Sequence, residues 1–173
     1  MSTTTLSPKS TWSDRFSQPT AEQLLGDLPE DLAAVGRSLL DRLLEIEEVD
    51  ADVRHLGLPW RWTVVLTHPA DESRGFAYIV PDPVDPKVCL PLPREMITSL
   101  PARRVRKQIK SGVQRARVVG PLAWATWSLR DGVAVEDLAD LARRKAAWMS
   151  PPAGQDESVE PGADAHRNKA AAV

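Results

Sequence analysis

Cysteine is nearly missing from this chain: one residue, Cys89, among 173. A lone thiol closes no internal disulfide, which favours a reducing compartment. Long apolar runs are missing too, and no stretch of ~18 such residues exists to span a bilayer. The opening residues 1–9 are rich in Ser and Thr and lack the apolar centre of a secretory signal. Histidine is scarce, with His55, His68 and His166 well apart. No glycine-rich loop precedes a helix pattern, which leaves a phosphate cradle unsupported. No Gly-x-Ser-x-Gly elbow is present either. These absences imply a soluble, cytoplasmic, globular domain without an evident catalytic constellation.

Proline and tryptophan are plentiful instead, at fifteen and six residues beside one tyrosine and two phenylalanines. Each proline removes a backbone donor and restricts the residue before it, so the elements between them must be short. The net charge of −2 conceals a division along the chain. Residues 14–72 hold 5 basic and 13 acidic side chains, whereas residues 73–130 hold 11 basic and 3 acidic. The fold decides whether these halves oppose each other or interleave.

Residues 1–11 read as a flexible lead and 150–173 as a disordered tail, because neither carries enough large apolar side chains to offset its ordering entropy. A single domain is expected over 12–149. Thr20-Ala21-Glu22-Gln23 fits a capping box before a short helix ending near Gly26. A longer helix begins at Glu30, its apolar stripe formed by Leu32, Val35, Leu39, Leu43 and Ile46. Val53 to Leu56 suits a short strand. Alternation over 60–67 predicts a second, with Trp60, Trp62, Val64 and Leu66 on one face. A polar loop, 68–75, leads to a strand over 76–80. Another covers 87–92, where Pro91 argues for a sheet edge.

Helical spacing then resumes, with Val105, Ile109, Val113 and Ala116 as its stripe. Gly120-Pro121 marks a turn into a strand whose Trp124 and Trp127, three apart, point to opposite faces. A last helix spans about Val135 to Trp148, with Val135, Leu138, Leu141 and Ala142 inward and Arg143, Arg144 and Lys145 near its basic end. The fold class is α+β. An antiparallel sheet of four to five strands carries helices on one face, in the order α-β-β-β(-β)-α-β-α.

The Trp60-Arg61-Trp62 strand, the Ala77–Pro81 strand end, Ile109 to Gly112, and Trp124 to Trp127 before Val135–Leu141 together carry a resemblance. Over about residues 20–148 the layout resembles small bacterial domains of unknown function related to the YdhG-like group. Their sheet-and-helix arrangement is similar to that of secretion chaperones. The pattern is one of apolar residues and tryptophans without a catalytic signature, so the resemblance implies a fold and no established activity. The proline-rich stretch 81–93 departs from a smooth hairpin.

Two surfaces emerge as candidates. Trp60, Trp62, Tyr78, Trp124 and Trp127 have the residue types of an apolar ligand site with indole donors, and equally those of a sheet-to-helix core. Arg103, Arg104, Arg106, Lys107, Lys110, Arg115 and Arg117 place seven cations within fifteen residues, a surface suited to phosphate. The bland alternative is a solvated helix face balanced against the acidic first helix.

Other chemistry is thinner. His68 with Asp71 and Glu72 resembles a minimal metal set, but an exposed turn explains the same residues, so no metal and no cofactor is expected. Glu47, Glu48, Asp50 and Asp52 cluster where a helix gives way to a loop, as a solvated surface or a partner-facing edge. Cys89, flanked by Val88 and Leu90, reads as a small buried hydrophobe. The leading reading is a non-catalytic binding module for a protein partner or a small apolar ligand. Nucleic-acid binding through 103–117 comes second, and an enzyme using His68 or the acidic cluster third. No membrane role is expected.

Overall fold

The first helix forms where the sequence supplies its own cap. In the computed structural model, which describes residues 10–71, 75–100 and 105–150, the Gln23 backbone N–H donates to the Thr20 hydroxyl. The Gln23 side-chain oxygen accepts from the Thr20 N–H in return. Two donors that a helix start leaves unpaired are thereby satisfied, and α1 runs Ala21–Gly26. After Pro29, α2 (Glu30–Leu44) buries Leu32, Ala33, Leu39 and Leu43 along one stripe, with Glu30 and Asp31 in its first turn.

The remaining elements are β1 (Asp50–His55), β2 (Trp62–Thr67), β3 (Ala77–Val80), β4 (Lys87–Pro93), α3 (Arg94–Ser99), α4 (Lys107–Gln114), β5 (Arg117–Val119), β6 (Leu122–Ser128) and α5 (Val135–Met149). All strand pairs are antiparallel, in the order β1-β2-β3-β4-β6-β5. The α+β class therefore holds, with six strands where four to five were expected. The additional strand is β5. Apolar spacing through Ala116 predicted continued helix, yet α4 stops at Gln114 and the chain pairs Arg117–Val119 with β6. A two-residue loop, Gly120-Pro121, closes this hairpin with Gly120 at φ +59, where glycine alone escapes a Cβ penalty.

The edge expected at Pro91 is local: β4 is an inner strand, but one of its two sides is unpaired there. β4 lies between β3 and β6, but its pairing with β3 covers only Lys87–Cys89. At Pro91 the strand has a single partner, Trp124 of β6, so the missing N–H is tolerated inside the sheet. The true edges are β1 and β5. They separate the charge: β1 carries Asp50 and Asp52, while β5 begins at Arg117 next to α4.

Register explains the two faces. Val64, Ile79, Val88 and Trp127 form one cross-sheet row, and Val65, Tyr78, Cys89 and Thr126 the adjacent one. Successive rows point to opposite sides. The first side joins Leu39, Leu43, Met96, Ile109, Leu138 and Ala142 in the main core. The second forms a small cluster of Val65, Tyr78 and Cys89, edged by Trp60 and Trp124, without a helix residue among those described. All five described α-helices contribute to the first side.

The described structure starts within the expected lead: a 3-10 turn over Thr11–Ser13 is tied down by the Thr11 N–H donating to the Asp27 carboxylate at 2.9 Å. Residues 1–9 and the expected tail from 151 to 173 lie outside the described residues. Among those described, no helix is long and apolar enough to cross a membrane.

α4 reaches the sheet through Gly112. A Cβ there would stand 2.1 Å from the Trp127 indole nitrogen, which donates to the Gln108 carbonyl at 3.2 Å. Gly112→Ala is expected to lower stability by about 1–3 kcal/mol through overpacking. Urea unfolding should give a lower midpoint at unchanged slope. Gly26→Ala, whose new methyl group would meet nothing nearer than 3.7 Å, serves as the neutral control.

Candidate functional site

The turn into β2 determines what the open face carries. Arg61 has φ +49, and paired backbone bonds, from the Arg61 N–H to Gly57 and from the Leu56 N–H to Arg61, close a loop before the strand. Alternation therefore starts at Trp62, not at Trp60. Trp62 turns into the main core with Val64 and Leu66, its indole donating to the Asp14 carbonyl. Trp60 falls on the opposite side. The expectation that these four side chains share a face fails at this loop, because a positive φ breaks the period of two.

Trp60 meets two aromatics there. Its ring centroid lies 5.1 Å from that of Tyr78 in an edge-on contact and 6.0 Å from that of Trp124, while Tyr78 and Trp124 stack at 5.6 Å. Such contacts add about 0.5–1.5 kcal/mol each beyond area burial. The Trp60 carbonyl accepts from the Trp12 indole and from the Thr63 hydroxyl, fixing the loop beneath the ring. Tyr78 is buried; Trp60 and Trp124 are partly exposed. Burial, with the nearby Cys89 and Asp71, pushes the Tyr78 phenol above its ordinary range.

Three of the five aromatic candidates thus come together, Trp60, Tyr78 and Trp124. Trp62 and Trp127 do not join them, because register sends both into the helix-covered core. Five cavities lined by described residues, of about 50 to 450 Å³, include none of the three in their walls; Trp127 borders one. The trio forms a face rather than a pocket.

The basic segment is not one helix. Arg103 and Arg104 lie outside the described residues, Arg106 caps α4, and Arg117 belongs to β5. Arg106 pairs with Asp137 of α5 at 3.2 Å. Lys107, Lys110, Arg115 and Arg117 make no ion pair among the described residues. Among the described residues, no ion pair joins the basic segment to the acidic first helices, α1 and α2, whose own Arg37 pairs with Glu22 and Arg42 with Glu45 and Glu136.

One group escaped the sequence reading. Lys145, expected only as one of the cations near the basic end of the last helix, is 1% exposed. Its ammonium lies 2.6 Å from the Asp71 carboxylate, donates to the Phe76 carbonyl at 2.7 Å, and sits 4.8 Å from the centre of the Phe76 ring. The signal was available in its spacing, since Lys145 follows Leu138, Leu141 and Ala142 by seven, four and three residues on the inward stripe. Its charge pointed to the helix dipole instead.

Within the expected 68–75 loop, His68 and Gly75 are buried, while Pro69 and Ala70 are exposed. His68 is buried against Phe76, with ring centroids 5.7 Å apart, and its Nδ1 accepts from the Ala70 N–H at 3.1 Å. Glu72 lies outside the described residues, and among those described no three His, Cys, Asp or Glu side chains converge as metal ligands. Glu47 and Glu48 occupy the turn before β1, and Asp50 and Asp52 its exposed edge. Asp52 pairs with Arg54 at 2.9 Å, which holds its carboxyl below the usual range. Burial pushes the Cys89 thiol up to about 11, so it is a poor nucleophile.

Comparison of the chain with protein-family models and with curated proteins finds no match.

Desolvation lowers the Lys145 pKa despite the opposing pull of Asp71. The unfolded chain therefore holds this proton more tightly. The resulting cost is fully present below the lowered folded-state pKa and fades as pH rises toward the ordinary lysine value. Removing the carboxylate should sharpen that cost. Asp71→Asn is expected to destabilise by about 3–5 kcal/mol, because it leaves an ammonium buried without its counter-charge. Adding Lys145→Met should restore part of the loss. Denaturant unfolding of both single variants and the double gives the coupling energy, and simple additivity would contradict this account.

Proposed function

We propose that this protein is a non-catalytic interaction module that docks a protein partner on the helix-free face of its sheet. The observation that carries the reading is the contact of Trp60, Tyr78 and Trp124, at 5.1 to 6.0 Å, on a face no described helix covers. Leu58, two residues before Trp60, is 81% exposed, and Val119, on the same face as Trp124 in the β5–β6 pair, is 54% exposed. Arg117 stands directly opposite Trp124 in that register. Interface centres are enriched in these residue types, Trp, Tyr and Arg. The partner supplies apolar side chains to the tryptophans and a carboxylate to Arg117. The YdhG-like kinship belongs to the same proposal and rests on the tryptophan and strand pattern.

A second reading, nucleic-acid binding, is favoured by one observation: the cations of α4 other than Arg106 lack ion partners among the described residues. It predicts affinity that falls with salt, whereas the apolar face predicts little salt dependence.

Panning a random peptide library on the intact protein tests the first reading. Enriched peptides should combine aromatic or aliphatic residues with an acid. Their affinity should fall at least about thirtyfold with Trp60→Ala or Trp124→Ala, the ~2 kcal/mol expected of a binding hot spot. Lys107→Ala should leave it unchanged. Peptides that bind equally well to both tryptophan variants would refute the reading.

A further inference from the structure

Behind β6, on the side opposite the tryptophan face, a second opening has different chemistry. A cavity of about 210 Å³ lies between α4 and the turn before α5. At ~30 Å³ per water it has room for roughly seven, more than a bare phosphate needs. Its floor is apolar and buried, made by Trp127 and Val133. One wall is α4, which presents Lys107, Ser111 and Arg115 at intervals of four residues. That spacing puts them on one helix face, ~6 Å apart along the axis.

These three carry the inference. Lys107 and Arg115 make no ion pair among the described residues, and the Ser111 hydroxyl makes no hydrogen bond there. The Arg115 Nε donates to the Ser111 carbonyl at 3.2 Å, which holds the guanidinium beside the helix. Across the opening, the Asp131 carbonyl accepts from the Gln108 side chain at 3.4 Å and ties the turn to the helix. Asp131 also contributes the one carboxylate of the lining, against two cations.

We infer that this cavity binds the phosphate group of a small phosphorylated polyol. Lys107 and Arg115 neutralise the oxyanion and Ser111 donates to it, in charge-assisted bonds of the stronger kind. The volume left over and the Asp131 carboxylate accommodate the hydroxyl groups of the same ligand. Tryptophans three apart on β6 thus serve separate sites, Trp124 the partner face and Trp127 the floor of this cavity. The inference stands independently of the docking proposal.

The test is a ¹H–¹⁵N titration of the intact chain at fixed ionic strength with inorganic phosphate, glycerol phosphate and glycerol. Saturable shifts of the Trp127 indole N–H and of amides 107–115 are expected with both phosphates. Glycerol phosphate should bind more tightly than phosphate, and glycerol should produce no shift. Lys107→Ala and Arg115→Ala, both surface changes, should each weaken binding at least about tenfold. Lys110→Ala, one turn away and outside the lining, should leave it intact. Shifts that grow linearly without saturating, or an equal loss with Lys110→Ala, would reduce the effect to general attraction and overturn the inference. Binding of single-stranded oligonucleotide without binding of either phosphate would overturn it as well, in favour of a polyanion surface.

Discussion

A six-stranded sheet whose described helices all lie on one side leaves its other side, among the described residues, to be closed by the sheet and its loops. That constraint governs this molecule. Tyr78 and Cys89, in the middle of the open face, are almost as inaccessible as the residues beneath the helices. Trp60, from the loop before β2, and Trp124, from β6, pack against them and meet the Tyr78 ring of β3. Each ring touches the other two, so the roof is a cooperative unit rather than three independent side chains.

A roof of this kind is both structure and surface. Trp60 and Trp124 bury one side of each ring against the sheet and leave the other partly wet. An apolar partner docking as proposed would find rings already held in place and order few side chains on contact, which keeps the entropic cost of association low. Exposed Leu58 and Val119 have no comparable structural duty. Neither shields a buried neighbour in the small cluster on this face, which comprises Val65, Tyr78 and Cys89 with Trp60 and Trp124 at its rim. Their exposure therefore favours recognition over closure of the fold. The same distinction separates the α4 cations. Arg106 is engaged with Asp137, while Lys107 and Arg115 flank a cavity and pair with no carboxylate among the described residues.

Much of this was legible in the residues themselves. The capping box at Thr20, the stripe of α2 and the opposed tryptophans of β6 depend on local spacing, and spacing survives tertiary context. What could not be read had non-local causes. Trp60 was assigned to the face of Trp62 because alternation carries no mark of the positive φ at Arg61. Pro91 suggested an edge because the point at which β3 stops pairing with β4 is a property of two strands, not one. β5 was absorbed into a helix because Ala116 completes an apolar stripe by coincidence. The burial of Lys145 is not legible because a cation near a helix C-terminus has a ready dipole explanation, and its counter-charge lies over seventy residues earlier.

That buried pair bears on the open face even though it belongs to the other side. Pairs of this type seldom add net stability over a hydrophobic substitute; their better-attested contribution is to fix one arrangement among several. Here the ammonium reaches Asp71 and the Phe76 carbonyl together, joining α5 to both ends of the connection between β2 and β3. Gly75 lies in that connection, and a Cβ on it would stand 2.0 Å from the Tyr78 hydroxyl. Only a backbone without a side chain passes under that ring. A shift of the loop by a fraction of an ångström would press on Tyr78, and through it on the stacked Trp124. Lys145 on the helix side and Tyr78 on the open side thus both lie against described residues of the same connection, Asp71 and Phe76 for the lysine and Gly75 for the tyrosine.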